Sequence, residues 1–232
     1  MEIKIPTKPF GNGVRIFRRA RIDIQPGLTV LVGCNGAGKT TLLNFVKEYC
    51  EKEEIPCFSY DNYSEGGNRT AERIMFETGR GAEVFAEMWG QSEGETISTN
   101  IGYCASSLRH FLKTGKKHKN NKLEQAFMKL LDIEELEIKT NKRVLIFDGI
   151  DSGFSIDNVL EVKDVFHLIM DDAEKMGLEV YILVSANSFE MAKDELCYDV
   201  IRGCGCAFSN YEDYREFVLG SRKLKDKRYK EV

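Results

Sequence analysis

Residues Gly33-Cys34-Asn35-Gly36-Ala37-Gly38-Lys39-Thr40 set three glycines at alternating short intervals ahead of a lysine and a hydroxyl. That spacing suits phosphate chemistry. Glycines let successive backbone N–H groups turn inward on an anion, a lysine at this position neutralises β and γ oxygens, and the hydroxyl beside it can ligate Mg²⁺. Gly33, Asn35, Gly36, Ala37, Gly38, Lys39, Thr40 and Thr41 therefore form a candidate cradle for ATP. Such a cradle needs an acidic partner for the metal at the end of a neighbouring buried strand. The stretch Val144-Leu145-Ile146-Phe147-Asp148 supplies one, so Asp148 joins Thr40 as a candidate Mg²⁺ residue.

The elements that must hold these residues are legible as pattern. Gly27 to Gly33 is a short apolar run that suits a buried parallel strand. Leu42, Leu43, Val46 and Tyr49 then fall at helical spacing, so the glycine loop sits between a strand and a helix. Further strands are expected at Ile55–Tyr60, Arg143–Gly149 and Leu178–Asn187. Helices are expected at about 70–89 and 95–113, over 122–138, and across the stripe Val159, Val162, Phe166, Ile169 and Met170, which stops at Gly177. After a short helix at 188–196, the remainder suggests a strand or hairpin followed by a helix from Asn210. Strands alternating with helices indicate one α/β domain over 1–232 with a mostly parallel sheet flanked by helices, the fold of P-loop NTPases. A small helical lobe is expected at about 68–115, and a basic loop and helix at about 113–142.

With these motifs in order, the chain resembles the nucleotide-binding domain of the ABC ATPase superfamily. Asn35 within the glycine loop, Gln91-Ser92-Glu93-Gly94-Glu95 opening a helix, and Val144–Gly153 carry the likeness. The closer likeness is to the soluble branch that includes the heads of Rad50, SMC and RecF proteins, OLD-type proteins and small phage-borne ATPases. The resemblance implies that Ser92 and Gly94 form a second anion site, which meets the γ-phosphate held by another protomer, so that ATP is sandwiched in a head-to-tail homodimer. It implies that Asp151 and Ser152 lie near that interface. Asp157 is expected to cap the following helix. Phe10 and Phe17 are the aromatics preceding the glycine loop, where relatives stack adenine.

Two departures fall on the hydrolytic apparatus. Relatives place a glutamate general base directly after the strand-end aspartate, and here that residue is Gly149; they place a histidine after the next strand, and here Asn187 stands in the corresponding stretch. Losing a general base typically costs about 10²- to 10⁴-fold in rate. Asn187 can still bond a phosphate, and Asp151 is the carboxylate left to act as a base. Where relatives place a metal- and water-contacting glutamine after the second strand, Asp61 or Asn62 stands here, so the resemblance makes Asp61 a further candidate Mg²⁺ residue. The expectation is an ATP-gated dimer with slow hydrolysis, activated by a protein effector that supplies a missing group. The alternatives are a non-hydrolysing ATP-gated interaction module and a P-loop nucleoside or nucleotide kinase, for which Arg69, Arg73 and Arg80 would have to form a lid.

Composition narrows the rest. A net charge of −4 gives no global pull toward nucleic acid, so DNA contact would rest on local runs at Lys116–Lys122 and in the basic stretch from Ser221. No apolar run reaches the roughly 20 residues that cross a bilayer, and no apolar leader is visible, so no membrane role and a cytoplasmic location are expected. Seven cysteines without a Cys-x-x-Cys pair read as reduced thiols, and Cys204-Gly205-Cys206 lacks the second ligand pair of a zinc site.

Overall fold

Alternation along three apolar strands decides the architecture. In a strand, successive side chains face opposite ways, and here both sets are apolar, so the sheet must be covered on both faces. The computed structural model describes residues 1–5, 16–61, 105, 107–116, 140–152 and 154–230. Its elements are β1 (Glu2–Lys4), β2 (Arg21–Asp23), β3 (Gly27–Val32), α1 (Lys39–Lys52), β4 (Cys57–Asp61), β5 (Lys142–Asp148), α2 (Ile156–Lys175), β6 (Glu179–Ser185), α3 (Phe189–Ala192), β7 (Leu196–Asp199), β8 (Cys204–Cys206) and α4 (Tyr211–Lys230). The main sheet has six strands in the order β4-β5-β6-β3-β7-β8, all parallel to their neighbours except β8.

On one face Val30, Val32, Leu145, Phe147, Ile182 and Val184 meet α2 and the helical stretch 107–114, through Val159, Val162, Phe166, Ile169, Leu108 and Phe111. On the other face Leu31, Val144, Ile146 and Leu183 meet Leu42, Leu43 and Val46 of α1, with Ile3 and Ile22 from the antiparallel β1–β2 pair completing the layer. Full burial of such a side chain contributes roughly 1.5–3 kcal/mol. The helices are therefore fixed by what they cover rather than by propensity. Phe147 anchors the contact with α2, its ring 4.7 Å from that of Phe166.

Topology sets up the site. After α1 the chain crosses to β4 at the far edge, returns through β5, and inserts β6 between β5 and β3. The strand ends that carry Asp61, Asp148 and Ser185 thus lie side by side, with Asp61 opposite Asp148, Asp148 opposite Ser185, and Ser185 opposite Leu31. In open α/β sheets this carboxyl edge is where ligands bind.

Several sequence expectations are adjusted. The β1–β2 pair was not anticipated. The residue at the N-cap of α2 is Ser155, in extended conformation, whereas Asp157 lies inside the first turn. There it accepts a hydrogen bond from Ser155 and complements the helix dipole, so it does not serve as the cap. Phe17 is a core residue, packed edge-on against Phe45 at 6.0 Å and only 5% exposed, which leaves no face for adenine. The expected helices at 70–89 and 122–138, most of that at 95–113, and Phe10, Arg69, Arg73 and Arg80 lie outside the described residues.

Candidate nucleotide site

The glycine loop is built on backbone that other residues resist. Gly33, Gly36 and Gly38 have φ of 146°, 74° and 102°, a region L-residues rarely adopt. A Cβ on Gly38 would also lie 2.4 Å from Ile16 Cγ2. The loop closes on itself through Ala37 N–H donating to Cys34 O at 3.0 Å, and Leu42 N–H reaching Gly38 O at 2.9 Å begins the helical ladder. Helix α1 has no side-chain cap and no acidic residue in its first turn. The positive pole of its dipole and its first N–H groups are therefore left for an external anion. Thr40 is exposed in that turn and Thr41 is half-buried.

Lys39 points back over the loop. Its Nζ donates to Gly33 O and to Asn187 Oδ1, each at 2.9 Å. Both acceptors are neutral, and among the described residues no carboxylate pairs with it. Burial pushes the Lys39 ammonium below its usual range, partly offset by the negative charges of Asp151 and Asp148. A desolvated cation on neutral oxygens gains most from an anion.

At the end of β5, Ser185 Oγ donates to Asp148 Oδ1 and accepts the Gly149 N–H at 2.9 Å. Gly149 has φ 62°, again left-handed. Asp151 Oδ2 accepts the N–H groups of Asn187 at 2.6 Å and Ser188 at 2.5 Å, while its Oδ1 is buried without a partner. Asn187 is thus held from three directions. Its side chain takes Lys39, its N–H goes to Asp151, and its carbonyl accepts the Tyr214 hydroxyl at 2.8 Å.

The structure brings Gly33, Asn35, Gly36, Ala37, Gly38, Lys39, Thr40 and Thr41 onto one loop and helix start, beside Asp148, Asp151 and Asn187. Asp61 stands one strand beyond Asp148. Ser92 and Gly94 lie outside the described residues. Thr40, Asp148 and Asp61 offer hard oxygen donors at the same edge of the sheet, which suits Mg²⁺, an ion that keeps most of its water and takes few protein ligands. Among the described residues no group of three or more His, Cys, Asp or Glu side chains gathers to cage a metal, the cysteines of β8 included.

Sequence reasoning missed four participants. Ser185, Tyr214, Ser221 and Lys225 carry no local motif, and the last two reach the loop from almost 190 residues away. Two cations of the basic C-terminal stretch turn inward: Lys225 bonds Asn35 O at 2.9 Å, and Arg228 bonds Ile16 O and Ile201 O, both at 2.5 Å. Among the described residues no helix is long and apolar enough to cross a membrane.

A family model described as an AAA domain matches residues 11–151, a span that includes the glycine loop, Asp148 and Asp151. Comparison with curated proteins gives no match.

Proposed function

The chain belongs to the AAA domain family, and from that premise we propose that it is an ATP-binding head of ABC type. In this reading Mg-ATP closes two copies into a head-to-tail dimer, and hydrolysis is slow until a protein effector assists it. The observation that carries the proposal is Lys39, a desolvated cation with two neutral oxygen partners at the uncapped start of α1. The soluble DNA-associated branch is the proposed relative, on the resemblance of Asn35 and Ser92–Glu95.

Each residue then has a task. Loop amides and the start of α1 bind phosphate, Lys39 neutralises it, and Asn187 orients Lys39 and offers a hydrogen bond to the γ-phosphate without moving a proton. Thr40 and Asp148, with Asp61 nearby, would hold Mg²⁺, which when bound screens phosphate charge. Asp151 is the carboxylate proposed to take a proton from the attacking water; its Oδ1 has no protein partner but is buried, so this step needs the site to open to water.

Gly149 supports slow turnover. A glutamate in its place would need the left-handed conformation, at a cost of about 1–2 kcal/mol. Gly149→Glu is therefore expected to leave hydrolysis no faster and to lower the melting midpoint, by about 2–4 °C for each kcal/mol lost. Faster phosphate release by this variant, measured beside its melting curve, would show that only the missing carboxylate limits the rate.

Light scattering with and without Mg-ATP, alongside phosphate release, tests the whole reading. Expected are a doubling of mass with ATP and slow release. Dimerisation with no release at all favours the non-hydrolysing module, which Gly149 also suits. A monomer that fails to bind ATP sinks both.

A further inference from the structure

The C-terminal helix presents one stripe to the nucleotide site. Tyr214, Ser221, Lys225 and Arg228 are separated by seven, four and three residues, which places them on one helical face. Each spends its polar group on the phosphate edge or the segment beside it. Tyr214 holds Asn187, buried Ser221 accepts the Cys34 N–H at 3.0 Å, Lys225 donates to Asn35 O, and Arg228 ties down Ile16, against which Gly38 packs. Leu224 on the same side packs on Cys34, Ala37 and Ile201.

Lys225 differs from the others in setting a cation with donors to spare against the loop itself, whereas Arg228 spends its donors on Ile16 O and Ile201 O. An ammonium has three donors, and Asn35 O takes one. A Cβ on Gly36 would sit 3.3 Å from Lys225 Nζ, so the cation lies directly against the apex of the loop, where Gly36 leaves no side chain between them. Among the described residues no carboxylate pairs with it. Lys39 thus lies over Gly33 and Asn187, and Lys225 over Asn35 and Gly36 at the apex of the same loop.

The geometry points to Lys225 as a second phosphate-binding cation of this site, supplied by the C-terminal helix and contacting the polyphosphate of the bound nucleotide. This rests on the ATP-binding reading. Two cations flanking one loop raise affinity for a polyphosphate over that of either alone, and they make the seating of α4 part of the binding reaction.

The test is a fluorescence titration with Mg-ATP of wild type, Lys39→Ala, Lys225→Gln and Lys225→Arg. Glutamine still donates to Asn35 O but carries no charge. Lys225→Gln is expected to bind about tenfold more weakly, the loss of one charge-assisted hydrogen bond, whereas Lys225→Arg stays within about threefold of wild type. A ligand-free melting midpoint within about 2 °C of wild type shows that the fold is intact. Lys225→Met, which keeps the length of the stem, serves as a second neutral variant with the same expectation. If Lys39→Ala loses binding while both neutral variants at 225 bind as wild type does, Lys225 is only a peg for the loop and the inference falls while the ATP reading stands. If wild type itself does not bind Mg-ATP, the ATP reading fails first and takes this one with it.

Discussion

Purified Lys39→Ala protein is expected to bind Mg-ATP at least about 100-fold more weakly than wild type, since two charge-assisted bonds of about 1.5–3 kcal/mol each are at stake. The companion variant Lys39→Met separates function from folding. In the ligand-free protein burial lowers the pKa of Lys39, so the fold disfavours the charged form relative to the unfolded chain. The sign follows from linkage. Below the folded pKa both states hold the proton and the destabilisation is complete; as pH rises from that value toward 10.5 the folded state releases its proton first and stability recovers. Wherever Lys39 is charged in the folded chain the cost is present, and methionine removes it while keeping the stem. Lys39→Met should melt no lower than wild type without ligand. Wild type should gain about 2.7 kcal/mol at an ATP concentration 100 times its Kd, and a variant weakened 100-fold or more should gain no more than about 0.4 kcal/mol. Thermal scans with and without Mg-ATP read both halves. A Lys39→Met protein that ATP still stabilises fully would mean that the phosphates bind elsewhere.

How much of this was legible from sequence follows the range of each interaction. The glycine loop declares itself because its requirement is local: left-handed backbone at 33, 36 and 38 admits little else. The strands at 27–32, 142–148 and 179–185 were visible because both faces are buried, which gives unbroken apolar runs. β1 and β2 escaped because each has three residues with a single buried side chain, Ile3 and Ile22, too little for a period to show. Ser155 and Asp157 are both cap-forming types two positions apart, and only the observed start of α2 at Ile156 decides between them. The two departures at Gly149 and Asn187 could be read by position, but the bonds that give them meaning could not. Gly149 N–H to Ser185, and Asn187 to Lys39, Asp151 and Tyr214, join separate strands, loops and a helix. The stripe on α4 is the extreme case, since nothing near Ser221 or Lys225 in sequence marks the loop they hold.

Asp151→Asn is expected to slow ATP hydrolysis by about 100-fold, the lower end of what a general base contributes, and to leave Mg-ATP affinity equal to or tighter than that of wild type. The two oxygens of Asp151 separate its possible roles. One fixes the N–H groups of Asn187 and Ser188, and an amide oxygen can keep both bonds. The other is buried without a partner, and only a carboxylate there can accept a proton. Removing the negative charge also lessens its repulsion of phosphate, which sets the sign of the affinity change. Asp151→Ala takes away the anchor as well, loses two backbone hydrogen bonds to a charged group from an exposed and a half-buried donor, and frees the loop that aims Asn187 at Lys39. It should therefore weaken binding, which asparagine does not; the melting midpoint falls for both, because the asparagine NH₂ takes the buried place that has no partner. Single-turnover phosphate release with a parallel binding titration reads the split. Wild-type turnover in Asp151→Asn would reduce Asp151 to a loop anchor. With Gly149 beside Asp148 and asparagine at 187, only the candidate Mg²⁺ carboxylates Asp148 and Asp61 would then remain at this edge among the described residues, and faster hydrolysis would depend on a group brought by another protein.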